Sequence, residues 1–225
     1  MILFVDNEHA STFEQPKTEW LLAWRTRITY RLQDLTGDVC LLQRYHDVDP
    51  ELIERFAVRA VFISGHGADA DRYDPADQEN LRAVIRNGTT PVFGFCGGLQ
   101  FIAESLGIVV DQIGPIPDGE DDPAPTYQPG WKKEVGYQPV RLVGEHPLHE
   151  GLGADPVFRH AHTKELKALP AGFEVLAETD ITPIQLAAHR DLPLAGSQFH
   201  PEYWTDEAPA GRQLITNFCR WADVL

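Results

Sequence analysis

Cys96 stands in the run Gly94-Phe95-Cys96-Gly97-Gly98-Leu99-Gln100, where an apolar stretch, residues 91–94, gives way to a helical pattern. A thiol at such a junction occupies a sharp turn that needs small neighbours, and glycines flank it on both sides. The following helix aims its free N–H groups and positive dipole end at the sulfur, which favours thiolate over thiol. The Gly97 N–H then faces the place where an oxyanion would develop. A thiolate that makes and breaks an acyl bond needs a group to carry protons, and that group needs a third to set its tautomer. His200 and Glu202, in Gln198-Phe199-His200-Pro201-Glu202, fill those roles if the backbone turns at Pro201. A further run, Ser64-Gly65-His66-Gly67, follows another apolar stretch, and its glycines allow close backbone approach to a ligand. Taken singly, each run has a plain alternative: a buried cysteine in a tight turn, a structural His-Pro-Glu turn, and an ordinary strand-ending loop.

The elements that must position these residues follow from the hydrophobic pattern. Residues 2–5, 39–42, 60–63 and 91–94 are short apolar runs that read as strands. Between them, residues 18–35 carry Leu21, Leu22, Trp24, Ile28, Leu32 and Leu35 at helical spacing, with Gly37 as the stop. Asp49-Pro50 and Asp74-Pro75 open two more helices, the second running to Asn87-Gly88, and residues 97–106 form a fourth. Short strands alternating with helices predict a mostly parallel sheet covered on both faces. The second half differs. Residues 115–130, rich in Pro, Gly and Asp, predict a surface loop; residues 135–143, 157–160, 173–179, 184–188 and 194–198 predict strands; residues 206–225 predict a closing amphipathic helix. No linker divides the chain, so residues 1–225 are expected to form one domain.

The chain has 225 residues and a formal charge of −15. A surface of that sign repels phosphate backbones and anionic lipid, so neither nucleic acid nor membrane is an expected partner. No stretch reaches the roughly 18 apolar residues of a membrane span, and the apolar N-terminal run is short and lacks a basic flank. With three well-separated cysteines, Cys40, Cys96 and Cys219, and no disulfide framework, the protein is read as cytoplasmic. Cys40 and Cys219 lie in apolar runs and read as small core residues. His160 and His162 are two apart, but the spacing offers no carboxylate or cysteine to complete a ligand set, so no metal is expected. No other cofactor is expected either.

Together the three runs resemble the class I, or triad, glutamine amidotransferases. That family carries G-x-C-x-G-x-Q at its nucleophile, filled here by Gly94, Cys96, Gly98 and Gln100, and ends in H-P-E, matched by His200, Pro201 and Glu202. The glycine loop and Asp6-Asn7 match in place and character, so the resemblance runs from residue 1 to about residue 220. It implies an α/β, flavodoxin-like three-layer sandwich with a mixed, mostly parallel sheet and helices on both faces. It implies that Cys96 attacks the γ-amide of glutamine, that the oxyanion rests on the N–H groups of Gly67 and Gly97, and that His200, oriented by Glu202, acts as acid and base. It implies that Gln100 helps hold the amino-acid end of the substrate, with His162 and Thr163 aligned to a further family segment in which His160 competes for the register. Two departures stand out. The family often has Pro where His66 stands, and a larger residue than Gly97, which predicts a roomier elbow.

Three functions fit this resemblance. The first is a glutaminase whose ammonia passes to a separate synthetase or acceptor protein, since no synthetase domain follows the H-P-E segment. The second is a free-standing γ-glutamyl hydrolase or peptidase; residues 134–140 resemble a segment of stand-alone family members. The third is a domain that has lost catalysis and binds a ligand or partner.

Overall fold

The computed structural model describes residues 1–15 and 18–225. Four apolar runs of the first half form β1 (Ile2–Asp6), β2 (Cys40–Arg44), β3 (Ala60–Ile63) and β4 (Val92–Phe95). Between and after them lie α1 (Glu19–Thr36), α2 (Pro50–Arg55), α3 (Pro75–Asn87) and α4 (Gly97–Ser105). The predicted punctuation holds. Asp49 and Asp74 accept backbone N–H groups at the starts of α2 and α3, and Gly37 and Gly88 end α1 and α3 with positive φ.

The second half adds β5 (Val110–Gln112), β6 (Glu134–Pro139), β7 (Arg141–Leu142), β8 (Val157–His162) and β9 (Lys164–Leu166). It closes with β10 (Phe173–Glu178), β11 (Leu186–His189), β12 (Leu194–Ser197) and α5 (Ala210–Trp221). The central sheet runs β2-β1-β3-β4-β12-β11-β10-β7. It is parallel from β2 to β12 and antiparallel beyond. β5 with β9, and β6 with β8, make two small antiparallel pairs beside it. The single strand expected at 135–143 is therefore two strands in different sheets, and β5 and β9 have too few apolar residues to stand out in the sequence.

Alternation along the parallel strands builds two cores, because successive side chains point to opposite faces. Ile2, Phe4, Phe62, Phe93 and Phe95 face Ile28 and Leu32 of α1 and Leu214 and Phe218 of α5. Leu3, Val5, Val61 and Ile63 face Leu81 and Ile85 of α3 and Leu99 and Ile102 of α4. Each such side chain stabilises the fold by about 1.5–3 kcal/mol on full burial. This is the flavodoxin-like three-layer arrangement expected from the sequence. Because β1, β3, β4 and β12 run parallel, their C-terminal ends open on one edge, where open α/β sheets hold ligands.

Candidate active site

All the motif residues gather on that edge. β12 pairs with β4 in a register that sets Ser197 beside Phe95, and the Cys96 N–H donates to the Ser197 carbonyl at 2.7 Å. The residues that follow the two strands therefore meet, although about a hundred positions separate them. Cys96 is buried at the turn into α4, with φ +50° and ψ −106°. Such backbone costs on the order of 1–3 kcal/mol and persists only where its surroundings over-determine it. Here they do: a Cβ on Gly94 would strike the Gly98 backbone, and one on Gly98 would strike the Ile63 carbonyl, so neither has room for a side chain.

His200 follows β12, its N–H held by the Arg159 carbonyl of β8 at 2.7 Å. Its Nδ1 lies 2.7 Å from Glu202 Oε1, and the ring meets Tyr203 edge-on at 5.4 Å between centroids. Burial opposes a charge on this imidazole, but Glu202 and Cys96 outweigh it and raise its pKa from the ordinary 6.5 to about 10. Glu202 is itself buried, and Arg31 of α1 donates to its backbone carbonyl at 2.7 Å. Burial pushes the thiols of Cys40 and Cys219 up to about 12 and keeps them protonated.

The expectation for Gly67 needs correction. Its N–H donates to Glu8 Oε2 at 2.7 Å, and the next N–H, of Ala68, to Glu8 Oε1 at 3.0 Å, so that amide is already engaged. The N–H beside the elbow belongs to His66, whose nitrogen would stand 2.9 Å from a Cβ placed on Gly97. Among the described residues neither the His66 nor the Gly97 N–H has an acceptor. The roomier elbow is also not found. The His66 ring packs over Gly97 and fills the space a side chain there would take. Burial holds that ring below its ordinary pKa, hence neutral.

A cavity of about 200 Å³ opens above the sulfur. Cys96, Gly97, His66 and Gln100 line it together with His162, Thr163 and Lys164. Gln100 donates to Gln198 Oε1 at 3.1 Å, and Gln198 donates to the Cys96 sulfur at 3.5 Å. Gln198 thus touches the sulfur, a contact that only its place two residues before His200 could have signalled. His162 lines this cavity and His160 does not: His162 Nδ1 lies 3.1 Å from the Lys164 carbonyl, and its Nε2 3.2 Å from Glu134 Oε2, though poorly aligned for a hydrogen bond. The fold also supplies the carboxylate that the spacing lacked. Glu134 of β6, His160 and His162 bring potential ligand atoms within 4.8 Å of one another. Burial opposes the Glu134 charge, but the two histidines outweigh it and hold the carboxyl below its usual range.

The loop at 115–130 is less solvated than its composition suggests. Lys133 is buried, and its ammonium donates to Asp122 Oδ2 at 3.0 Å and to the carbonyls of Ala124, Tyr127 and Gln128 at 3.2, 2.5 and 2.8 Å. That clamp carries Tyr127 to the cavity, where its hydroxyl donates to the Ala161 carbonyl at 3.1 Å. Burial, and after it the Cys96 sulfur, pushes the Tyr127 phenol up to about 12.

Fold and site together define a class: a mixed α/β sandwich with a strained cysteine at a strand–helix turn and a His–Glu pair after the neighbouring strand. The chain belongs to the glutamine amidotransferase class-I family, whose model matches residues 26–221. A glutamine-hydrolysing GMP synthase of Phenylobacterium zucineum is 30% identical over 196 residues, which are 85% of this chain and 33% of that protein. The chain spans about a third of the length of the first such relatives. One subunit of the glutamine-hydrolysing GMP synthase of Methanococcus aeolicus is 25% identical over 175 residues, covering 78% of this chain and 80% of that one. Among solved structures, a glutamine amidotransferase of Methylobacillus flagellatus overlays with a TM-score of 0.66 at 17% identity, covering 100% of this chain and 94% of that one. At that identity the likeness shows the fold alone. No helix of the described residues is long and apolar enough to cross a membrane.

Proposed function

We propose that this chain is a single catalytic domain, residues 1–225, that hydrolyses the γ-amide of glutamine and delivers ammonia to a separate synthetase partner. The observation that carries this reading is the placement of the Glu202–His200 pair, 2.7 Å apart, just after the strand that pairs with the one leading into Cys96. A thiolate–imidazolium pair of this kind is the reactive form of a cysteine nucleophile. In the proposed reaction the Cys96 sulfur bonds to the carbonyl carbon of the side-chain amide, and the carbonyl π electrons move to oxygen, which takes the N–H groups of His66 and Gly97. As the oxyanion collapses, the C–N bond breaks, and the His200 imidazolium gives its proton to the departing nitrogen. Water then attacks the thioester, His200 takes a proton from it, and glutamate leaves with the thiolate restored. One glutamine and one water become one glutamate and one ammonia. Glu202 holds His200 in the orientation this exchange needs and transfers no proton itself.

The cavity supports a small substrate. Its volume of about 200 Å³ lies below the roughly 300–1,000 Å³ of sites for drug-sized ligands, and Tyr127 roofs it. Gln100, His162 and Thr163, set around the sulfur, suit the α-amino and α-carboxylate groups of free glutamine. Relatives named as GMP synthase subunits support a partner that consumes ammonia. The second reading, a free-standing γ-glutamyl hydrolase, draws on the same triad and needs the 115–130 loop to open.

The test is ammonia release from glutamine by the purified protein, with Cys96→Ala as control and γ-glutamyl dipeptides as competing substrates. Release that needs Cys96 and favours glutamine is expected. His200→Ala should lose several orders of magnitude. Full activity of Cys96→Ala would end the proposal, and a preference for dipeptides would move it to the second reading. Failure of Cys96 to form a glutamyl adduct under any condition would leave the non-catalytic binding domain.

A further inference from the structure

A buried ion pair outside the Cys96, His200 and Glu202 set meets the peptide that precedes His66. Asp6 ends β1 and Arg25 lies on the inner face of α1; both are buried, and Arg25 Nε donates to Asp6 Oδ1 at 2.8 Å. Arg25 Nη2 donates to the Gly65 carbonyl at 2.9 Å, and Ser64 Oγ donates to the same oxygen at 2.9 Å. On the far side of His66, the buried Glu8 carboxylate takes the N–H groups of Gly67 and Ala68. It also takes the Thr12 hydroxyl at 2.8 Å.

The peptide between Gly65 and His66 is trans, as no cis bond occurs among the described residues. In a planar trans peptide the C=O and N–H point in opposite directions. Holding the Gly65 oxygen on Arg25 therefore turns the His66 N–H away from Arg25, and the His66 nitrogen lies beside Gly97. Gly65 has no side chain to resist a rotation of this peptide, and a Cβ there would crowd His200 Cε1 at 3.2 Å. Rotated, the Gly65 carbonyl would present a negative dipole where the oxyanion must form.

We propose that Arg25, seated by Asp6, is a positioning residue that keeps the Gly65–His66 peptide in its donating orientation, with Glu8 anchoring the other side of the loop. The inference rests on the glutaminase reading of the same site. It separates two properties of Cys96. Attack on a carbonyl needs an oxyanion donor, whereas alkylation by iodoacetamide does not use one.

The experiment compares wild type with Arg25→Lys and with the double variant Asp6→Asn/Arg25→Met, which leaves no unpaired buried carboxylate at position 6. For each protein three quantities are measured: kcat and KM for glutamine, affinity for glutamate γ-semialdehyde, and the alkylation rate of Cys96. The semialdehyde adds to the sulfur as a hemithioacetal whose oxygen occupies the oxyanion position. The expected result is a kcat and a semialdehyde affinity lower by about 10²–10³-fold, the usual effect of losing one oxyanion donor. KM and alkylation should stay within about threefold, and Arg25→Lys should lie between. Variants that match wild type in semialdehyde affinity would overturn the proposal. So would parallel losses in affinity and alkylation, since these would mean general collapse of the site. A wild type that neither hydrolyses glutamine nor binds the aldehyde would remove the glutaminase reading together with this one; an active wild type with unaffected variants would remove this one alone.

Discussion

Gly97→Ala is the smallest change that tests the elbow as a rigid object. A Cβ at position 97 would lie 2.6 Å from His66 Cδ2 and 2.9 Å from the His66 nitrogen. Ordinary contact begins at 3.4 Å, so the ring must retreat by about 0.8 Å and the backbone nitrogen by about 0.5 Å. The ring is the end of a side chain and can turn. The nitrogen cannot move alone, because Arg25 holds the peptide on one side and Glu8 holds it on the other. An oxyanion donor works over a window of about 2.7–3.1 Å, so a displacement of half an ångström takes it out of range. Misplacement by about 1 Å costs on the order of 10²-fold, which sets the expected fall in kcat at roughly ten- to a hundredfold. KM for glutamine should change little, because the residues proposed to hold the amino-acid end, Gln100, His162 and Thr163, are not the ones displaced. The assay is steady-state ammonia release, with circular dichroism confirming the fold. Adding His66→Gly removes the ring clash and leaves the backbone clash, so the double variant should recover only part of the loss. Undiminished kcat in Gly97→Ala would refute the tight elbow and the assignment of the His66 N–H. Full recovery in the double variant would show that the ring alone was at fault.

Further outcomes follow from the same geometry. Glu202→Gln should lower kcat by about 10²–10³-fold and move the alkaline limb of the kcat/KM profile from near pH 10 towards the ordinary histidine range, because the carboxylate that raises His200 is gone; an unmoved limb would assign it to another group. The raised His200 pKa also stabilises the fold, fully below its ordinary 6.5 and progressively less as pH rises through about 10. The difference in Tm between wild type and Glu202→Gln should therefore be constant in mild acid and shrink in alkali; a difference that grew with pH would reverse the sign of the argument. Tyr127→Ala should open the cavity roof and shift the ratio of kcat/KM between glutamine and a γ-glutamyl dipeptide by about tenfold towards the dipeptide. No change in that ratio would free the 115–130 loop from any part in selectivity. Lys133→Met should raise KM for glutamine, since the clamp that presents Tyr127 is lost, and unchanged kinetics would confine Lys133 to folding.

Much of the site was legible from local order. Cys96 and its glycines announce a strained turn because backbone sterics act over a few residues, and His200, Pro201 and Glu202 announce their pairing because two positions suffice for a 2.7 Å contact. Alternation of Phe and Leu along short runs likewise forces a sheet covered on both faces. What the chain order could not express is which distant polar groups share a buried space. Gly67 has the right residue type for an oxyanion donor, yet Glu8, 59 positions earlier, takes its N–H. Gly97 promised spare room until the His66 ring was seen above it. Asp6 with Arg25, Glu134 with His162, and Lys133 with three loop carbonyls are charges that water would otherwise solvate, and each is tolerated in the interior only because a partner from another element meets it there. Local sterics belong to neighbours in sequence, whereas compensation of a buried charge belongs to neighbours in space, and only folding makes those.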